Sequence, residues 1–289
     1  MLKKSISIFG VLVLASFSFY YTDKAIDIVK RNDPIMQKIM ENSKNYYIEP
    51  VNAEIESDEL KSGINGKKVD IDSSYKKMKQ INNYNESMLV FDEVIPDLTY
   101  LDSYDKYIVG TSNLKNKIAL VFKIDDSSYI DKLNDILLEK DSEATFFIDG
   151  SIVENNTDKV LELISNGYEI ENLGYDGKYT IEMFGWTNNL ISSLTNKDTK
   201  YCYTDYKNTE ILELCSRYHM YTVKPTVSIN SNYPFKTVKS NLESGKIISF
   251  SLNNQVLKEL PTIISYIKQK GYDLVTIDEL INEKFIAEK

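Results

Sequence analysis

Histidine is almost absent from this sequence: His219 is the only one in 289 residues, beside two cysteines, one tryptophan and six prolines. Structural zinc sites want four nitrogen or sulfur ligands, so Cys202, Cys215 and His219 are too few to build one. An excess of basic charge is also missing. Thirty-four Lys and Arg against forty-three Asp and Glu leave a net charge of -9, which argues against binding to phosphate backbones and so against nucleic-acid partners. No Gly-x-Gly-x-x-Gly or Gly-x-x-x-x-Gly-Lys run opens any expected helix, which removes the main support for a nucleotide-binding domain. No cysteine lies near the amino terminus, so a lipid-modified anchor is excluded. The 42% hydrophobic and 27% charged residues are those of an ordinary folded chain rather than a disordered one. Tyrosine is abundant, with 21 residues; alongside many Lys, Asn and Ile, this reads first as AT-rich coding rather than as a set of sugar-stacking platforms.

The first segment carries Lys3 and Lys4 before an uncharged run from Ser5 to Thr22, close to the ~20 residues that a bilayer requires. Positive charge on the amino side holds that end in the cytoplasm and sends the remainder outward. Residues 1–23 are therefore read as an uncleaved single-pass membrane anchor with the bulk of the chain extracytoplasmic. The competing reading is a cleaved signal peptide and a secreted protein, with Ala15 in a poor cleavage context. Residues 24–116 read as a stalk or accessory region: an amphipathic helix from Asp23 to Asn45 interrupted at Pro34, a turn at Gly63 and Gly66, a helix capped by Asp72 or Ser73, and a strand that Pro96 ends. From Ile118 the texture changes to alternating strands and helices. This implies a parallel sheet, doubly wound or closed as a barrel. Cys202 falls on a strand and Cys215 on the following helix, and both are expected as buried, unpaired thiols.

Five stretches in order, "IALVF", "ATFFIDG", "NGYEIENLGYDG", "GKIISFSL" and "GYDLVTIDEL", resemble the polysaccharide deacetylases of the NodB-homology family across about Lys117 to Asn282. The resemblance implies that residues 117–289 form an irregular (β/α) barrel of about seven repeats, an α/β fold preceded here by the anchor and a small α+β stalk. It also implies carbohydrate N-deacetylation, in which a divalent metal such as zinc, held by one Asp and two His, polarises the acetyl carbonyl and activates water, beside an Asp base and a His acid.

The residues for that chemistry are largely missing. The family's Thr-Phe-Asp-Asp-Gly motif, registered without a gap, places Lys123 and Ile124 at the two carboxylate positions. Registered on the carboxylates instead, Asp125 and Asp126 match, with two residues inserted. The ungapped register is preferred, leaving Asp125 and Asp126 as cleft-rim or helix-capping carboxylates and as the candidate catalytic residues if any chemistry survives. The second motif, Gly-His-Glu-Ile-x-Asn-His-Thr-x-x-His, lies on Gly167 to Gly177 and puts Leu173 and Gly177 at the metal histidines. Neither has a side-chain lone pair. Asn172 and Asp176 are candidate groove residues that could form an oxygen-rich site with Asp126; the competing and preferred reading is an Asn that bonds backbone and a loop-capping Asp. Ser251 falls near the general-acid position, and a hydroxyl is too weak an acid to replace imidazole. His219 precedes a strand, at the end of the barrel opposite the expected site.

The resemblance therefore points to a catalytically degenerate deacetylase-like protein that needs no cofactor and binds a cell-envelope glycan or an envelope protein. Tyr175, Tyr179, Trp186, Tyr201, Tyr203 and Tyr206 fall near the expected groove, with Tyr203 and Tyr206 as the leading binding candidates. Two alternatives are a metal-dependent cell-wall deacetylase with ligands relocated to Asp125, Asp126 and Asp176, and a structural interaction protein acting through residues 50–116.

Overall fold

The computed structural model describes residues 18, 20–22, 28–112, 116–230 and 232–284. The expected anchor, residues 1–23, lies almost wholly outside the described residues. Among the described residues no helix is long and apolar enough to cross a membrane. Two compact units emerge, one formed by residues up to 50 together with 65–94, the other by 51–64 together with 95–289.

The smaller unit is α+β. Asp33 caps the helix Pro34–Ser43 by accepting from the Ile35 N–H, so the chain breaks just before Pro34, where a missing amide hydrogen is harmless at a helix start. Strands β3 (Gly66–Asp70) and β4 (Val90–Val94) pair antiparallel. Between them runs the helix Ile71–Ile81, capped by Asp70 through the Ser73 N–H rather than by Asp72 or Ser73. Ile35, Ile39, Val69, Met78 and Leu89 form its core.

The larger unit is built on an eleven-stranded sheet. β6 (Lys117–Ile124), β7 (Thr145–Ile148), β8 (Glu169–Asn172) and β9 (Tyr201–Tyr203) pair in parallel, and β10 (Tyr221–Val223) continues them. On the other side of β6 lie β12 (Ile247–Ser251), β11 (Val227–Ile229) and β13 (Asp273–Val275), also parallel. β6, β7, β8, β9, β11, β12 and β13 are each followed by a helix, the α/β succession expected of an irregular (β/α) barrel with about seven repeats. The boundary expected near residue 116 is not where this unit begins. β5 (Tyr107–Thr111) pairs with β10, and β2 (Glu59–Ser62) pairs with β5, while the buried Glu283 accepts from the N–H groups of Gly63 and Tyr100 at 2.8 and 3.2 Å.

Strand alternation sorts the side chains into two layers. Ile118, Leu120, Phe122 and Ile124 of β6, with Phe146, Ile148, Ile170, Ile248 and Phe250, pack under the helices. Ala119, Val121, Phe147, Leu173, Tyr201, Tyr203, Val223, Ile247 and Val275 fill the inside of the curled sheet. Curling brings the start of β12 against β5, where Thr111 N–H donates to the Gly245 carbonyl at 2.9 Å. A Cβ on Gly245, whose φ is +78°, would stand 2.4 Å from the Thr111 carbonyl oxygen, so only glycine fits this closure.

Cys202 and Cys215 are joined by a disulfide, with their Cα atoms 6.3 Å apart, which corrects the expectation of free thiols. Both had been placed on the right elements. Cys202 faces outward from β9, and the next helix, Thr209–Arg217, lays Cys215 over it in a small cluster with Phe184, Leu214 and Met220, within the separation that a disulfide spans.

Candidate functional site

A cleft of about 300 Å³ opens where β6, β7, β8 and β9 end, lined among others by Lys123, Asp125, Asp149, Asp176, Asp205 and Tyr206. This is the carboxyl-terminal end of the strands, where barrels of this kind carry their active groups. Lys123 is the penultimate residue of β6 and shares the inward face with Ala119 and Val121. Its Nζ lies 2.5 Å from Asp205 Oδ2, with the lysine side chain 20% and the aspartate 41% exposed. The same ammonium sits 5.3 Å from the centre of the Tyr203 ring, within cation–π range. The Tyr203 hydroxyl donates to Asp205 Oδ1 at 2.7 Å and lies 2.8 Å from Ser249 Oγ. Burial, reinforced by the Asp205 carboxylate, pushes this phenol far above its usual range. The network is charge-balanced and holds no free base.

Asp149 has a different task. It caps the helix after β7 through the Ser151 N–H and hydroxyl, at 2.9 and 2.6 Å, and reaches across to the N–H groups of Asp176 and Gly177, at 2.9 and 3.0 Å. Both held residues are left-handed, with φ of +51° and +68°. Asp149 thus pins the loop after β8 in a backbone conformation that side chains with a Cβ adopt at a cost.

The sequence candidates divide accordingly. Asp125, Asp176, Tyr203 and Tyr206 line the cleft with Lys123, Leu173 and Tyr179. Asp126 caps the short turn Ser127–Tyr129 by accepting from the Ser128 N–H at 2.9 Å, and that bond holds its carboxyl below the usual range. Asn172 is fully buried on the helix-facing side of β8. It donates to the Phe184 carbonyl and Asn188 and accepts from Gly174 N–H, so it is committed to the frame. Ser251 stands opposite Lys123 in the β12–β6 register. The ammonium is engaged by Asp205, not by Asp125 or Asp126, which leaves no lysine base for a Ser251 nucleophile. Tyr175 donates to Glu154 at 2.5 Å, Tyr201 lies lower in the barrel with its hydroxyl 3.0 Å from Asp278, and Trp186 sits on the helix Ile181–Thr195 outside the cleft lining. His219 ends the helical turn before β10 and contacts the Tyr104 ring, at the opposite end from the cleft.

The metal of the family pattern does not fit these residues. Ile124, at one carboxylate position, is buried among the helix-facing side chains; Leu173 and Gly177, at the histidine positions, offer no lone pair. Among the described residues no group of three His, Cys, Asp or Glu is arranged to hold a metal ion. Sequence reading had passed over Asp149 and Asp205. Asp149 follows β7 directly and Asp205 lies two residues past β9, and a carboxylate just past a barrel strand is the available signal.

This geometry agrees with what the chain resembles. Residues 111–233 match the family model described as polysaccharide deacetylase. The larger unit is thus similar to a polysaccharide deacetylase domain, in a degenerate form without the histidines of the family pattern. Along nearly its whole length the chain resembles an uncharacterized protein, YlxY, of Bacillus subtilis, with 28% identity over 96% of both chains. It also resembles a bifunctional xylanase/deacetylase of Pseudobutyrivibrio xylanivorans, at 28% identity over 61% of this chain and 32% of that protein. Among solved structures, BA3943 of Bacillus anthracis, a CE4 family pseudoenzyme, shares the fold with a TM-score of 0.67 and 24% identity over 88% of this chain and 97% of that one. The Bc1960 peptidoglycan N-acetylglucosamine deacetylase aligns with a TM-score of 0.55 and 20% identity over 62% of this chain and 95% of that one.

Proposed function

We propose that this protein is held at the outer face of the cytoplasmic membrane by its amino-terminal segment and binds an envelope glycan in the barrel cleft without hydrolysing it. One observation carries the reading: the Lys123–Asp205 ion pair sits where the ungapped family register has its first carboxylate, beside Leu173 and Gly177 in place of the histidines. An amide carbonyl brought there meets an ammonium already paired with Asp205, and among the described residues no ligand group that could hold a Lewis acid. What remains is a concave site with tyrosine on its wall and rim, a surface suited to sugar rings. The family's name supports a polysaccharide as ligand, and peptidoglycan is the natural candidate because a structural relative is a peptidoglycan deacetylase. The Cys202–Cys215 disulfide supports an oxidising compartment.

The relocated-ligand alternative is disfavoured because Asp126 is spent on its turn, Asp176 pairs with Lys178 at 3.4 Å, and no three-ligand group is present among the described residues. The test uses the full-length chain in two assays. It should co-sediment with purified peptidoglycan, and Tyr206→Ala should weaken that binding by about tenfold, the loss of one stacking contact. Zinc titration should give no micromolar site in wild type or in an Asp125→Asn, Asp126→Asn variant. Zinc-dependent release of acetate from peptidoglycan would overturn the reading.

A further inference from the structure

We propose that the cleft selects sugar units carrying a free primary ammonium group, the glucosamine form, over the N-acetylated form. The inference rests on the glycan-binding reading and names the ligand within it. The argument starts from the cavity. Four carboxylates, Asp125, Asp149, Asp176 and Asp205, line it against one ammonium, Lys123, leaving three negative charges in excess inside a recess. Lys123 is neutralised by Asp205, and Lys178, outside the lining, pairs with Asp176 at 3.4 Å, so a ligand meets the field of the remaining two, Asp125 and Asp149. Concave, low-dielectric walls concentrate such a field and favour a cation.

The aromatic groups point the same way. Tyr206 stands at the rim with 68% of its surface exposed, and Tyr179 forms part of the wall. A tyrosine face takes the apolar face of a sugar ring, and it also attracts a cation. Leu173 and Ile211, which also line the cleft, offer apolar surface to either form of the sugar. Charge therefore decides between them. An acetyl group removes the positive charge, and among the described residues no ligand group is arranged to hold a metal against the carbonyl that replaces it. The geometry thus favours the chemical product of a deacetylation over its substrate, and the reaction that supplies this ligand is an amide hydrolysis performed by another protein.

The probes are the pentamers of glucosamine and of N-acetylglucosamine, titrated calorimetrically into the full-length chain at low ionic strength near about pH 6. The expected result is at least about tenfold tighter binding of the amine pentamer, weakening as salt is raised. An Asp125→Asn, Asp176→Asn variant should lose most of that preference. Both residues are exposed, and Asn tolerates the left-handed backbone at 176 as readily as Asp, so the variant should fold. A control variant, Asp158→Asn with Glu213→Gln, removes two exposed charges outside the cleft and should keep the preference. Equal binding of the two pentamers would overturn the inference while leaving the glycan reading in place. Binding of neither would overturn both. An equal loss in the control variant would also overturn the inference, because the preference would then belong to the surface as a whole.

Discussion

β8 enters the barrel at one end and leaves at the other, and its two ends have opposite characters. At the entry, the inward-facing Glu169 and Glu171 are locked by donors. Glu169 accepts from the Thr145 hydroxyl at 2.5 Å and from Ile277 N–H at 2.9 Å; Glu171, 4% exposed, accepts from Lys200 and Tyr201 N–H groups at 2.9 Å each. At the exit, Leu173 faces an open cleft whose Lys123–Asp205 ion pair is partly solvated. The entry matches the family pattern at Glu169 and is buried, hydrogen-bonded frame. The exit has lost the family's chemical groups without disturbing that frame. Asp149 at the cleft and Asn172 behind it hold the loop and the helix around it.

The contrast is broken most severely at the entry. Glu171→Ala should strip two buried N–H groups of their acceptor and lower stability by about 3 kcal/mol, since each unsatisfied buried donor costs about 1–3 kcal/mol. Urea denaturation reads this directly, and an effect below about 1 kcal/mol would mean that the network carries little.

The next effect is a pH dependence. Burial, with added repulsion from Asp278, pushes Glu169 up to about 7, against the lowering effect of the Thr145 hydroxyl. Burial and then the Glu169 charge push Glu171 upward as well. Unfolded glutamates titrate near about 4.3, so the folded state holds its proton more tightly. The stability from this proton is complete below that value and is lost as pH rises toward about 7. Glu169→Gln should flatten the decline between about pH 5 and 7.5, worth on the order of 2 kcal/mol. A wild-type protein equally stable across that window would remove the buried pair from the account.

At the exit, the sharper question is whether the metal site can be rebuilt by side chains alone. Leu173→His with Gly177→His should not produce micromolar zinc binding, because Asp149 fixes residue 177 at a φ of +68°. The strained backbone at 177 should cost about 1 kcal/mol. Micromolar zinc binding by this variant would show that the loop yields easily. The smallest effect belongs to Lys123→Met, which breaks a partly exposed ion pair and should change stability by less than about 1 kcal/mol, measurable by thermal melting beside wild type.

Much of the barrel could be read from the chain because β6 and β7 are apolar runs with family text around them, and alternation then assigns every inward residue. The short strands were less visible. β5 contains Gly110 and reads as linker, and β11 alternates over only three residues, so both were missed until pairing showed their neighbours. Asp126 was legible as a cleft-rim or helix-capping carboxylate and Asn172 as a polar residue that bonds backbone, and both are engaged by backbone groups; what sequence could not name was the particular partner of each. Asp205 was missed because its partner lies 82 residues away on Lys123, and no local pattern encodes that meeting. The disulfide was missed for a related reason: sequence spacing does not fix how a helix is rotated over its strand.

That cross-link has a further consequence for the cleft. The cysteines lie 13 residues apart, and the chain between them carries Asp205 and Tyr206, the anion and the aromatic ring of the rim. Closing a ring of this size restricts the unfolded chain by about 3 kcal/mol. In the folded protein it ties both ends of the rim segment to rigid elements, so the rim offers any ligand a surface whose shape is already set, with less ordering entropy to lose on binding.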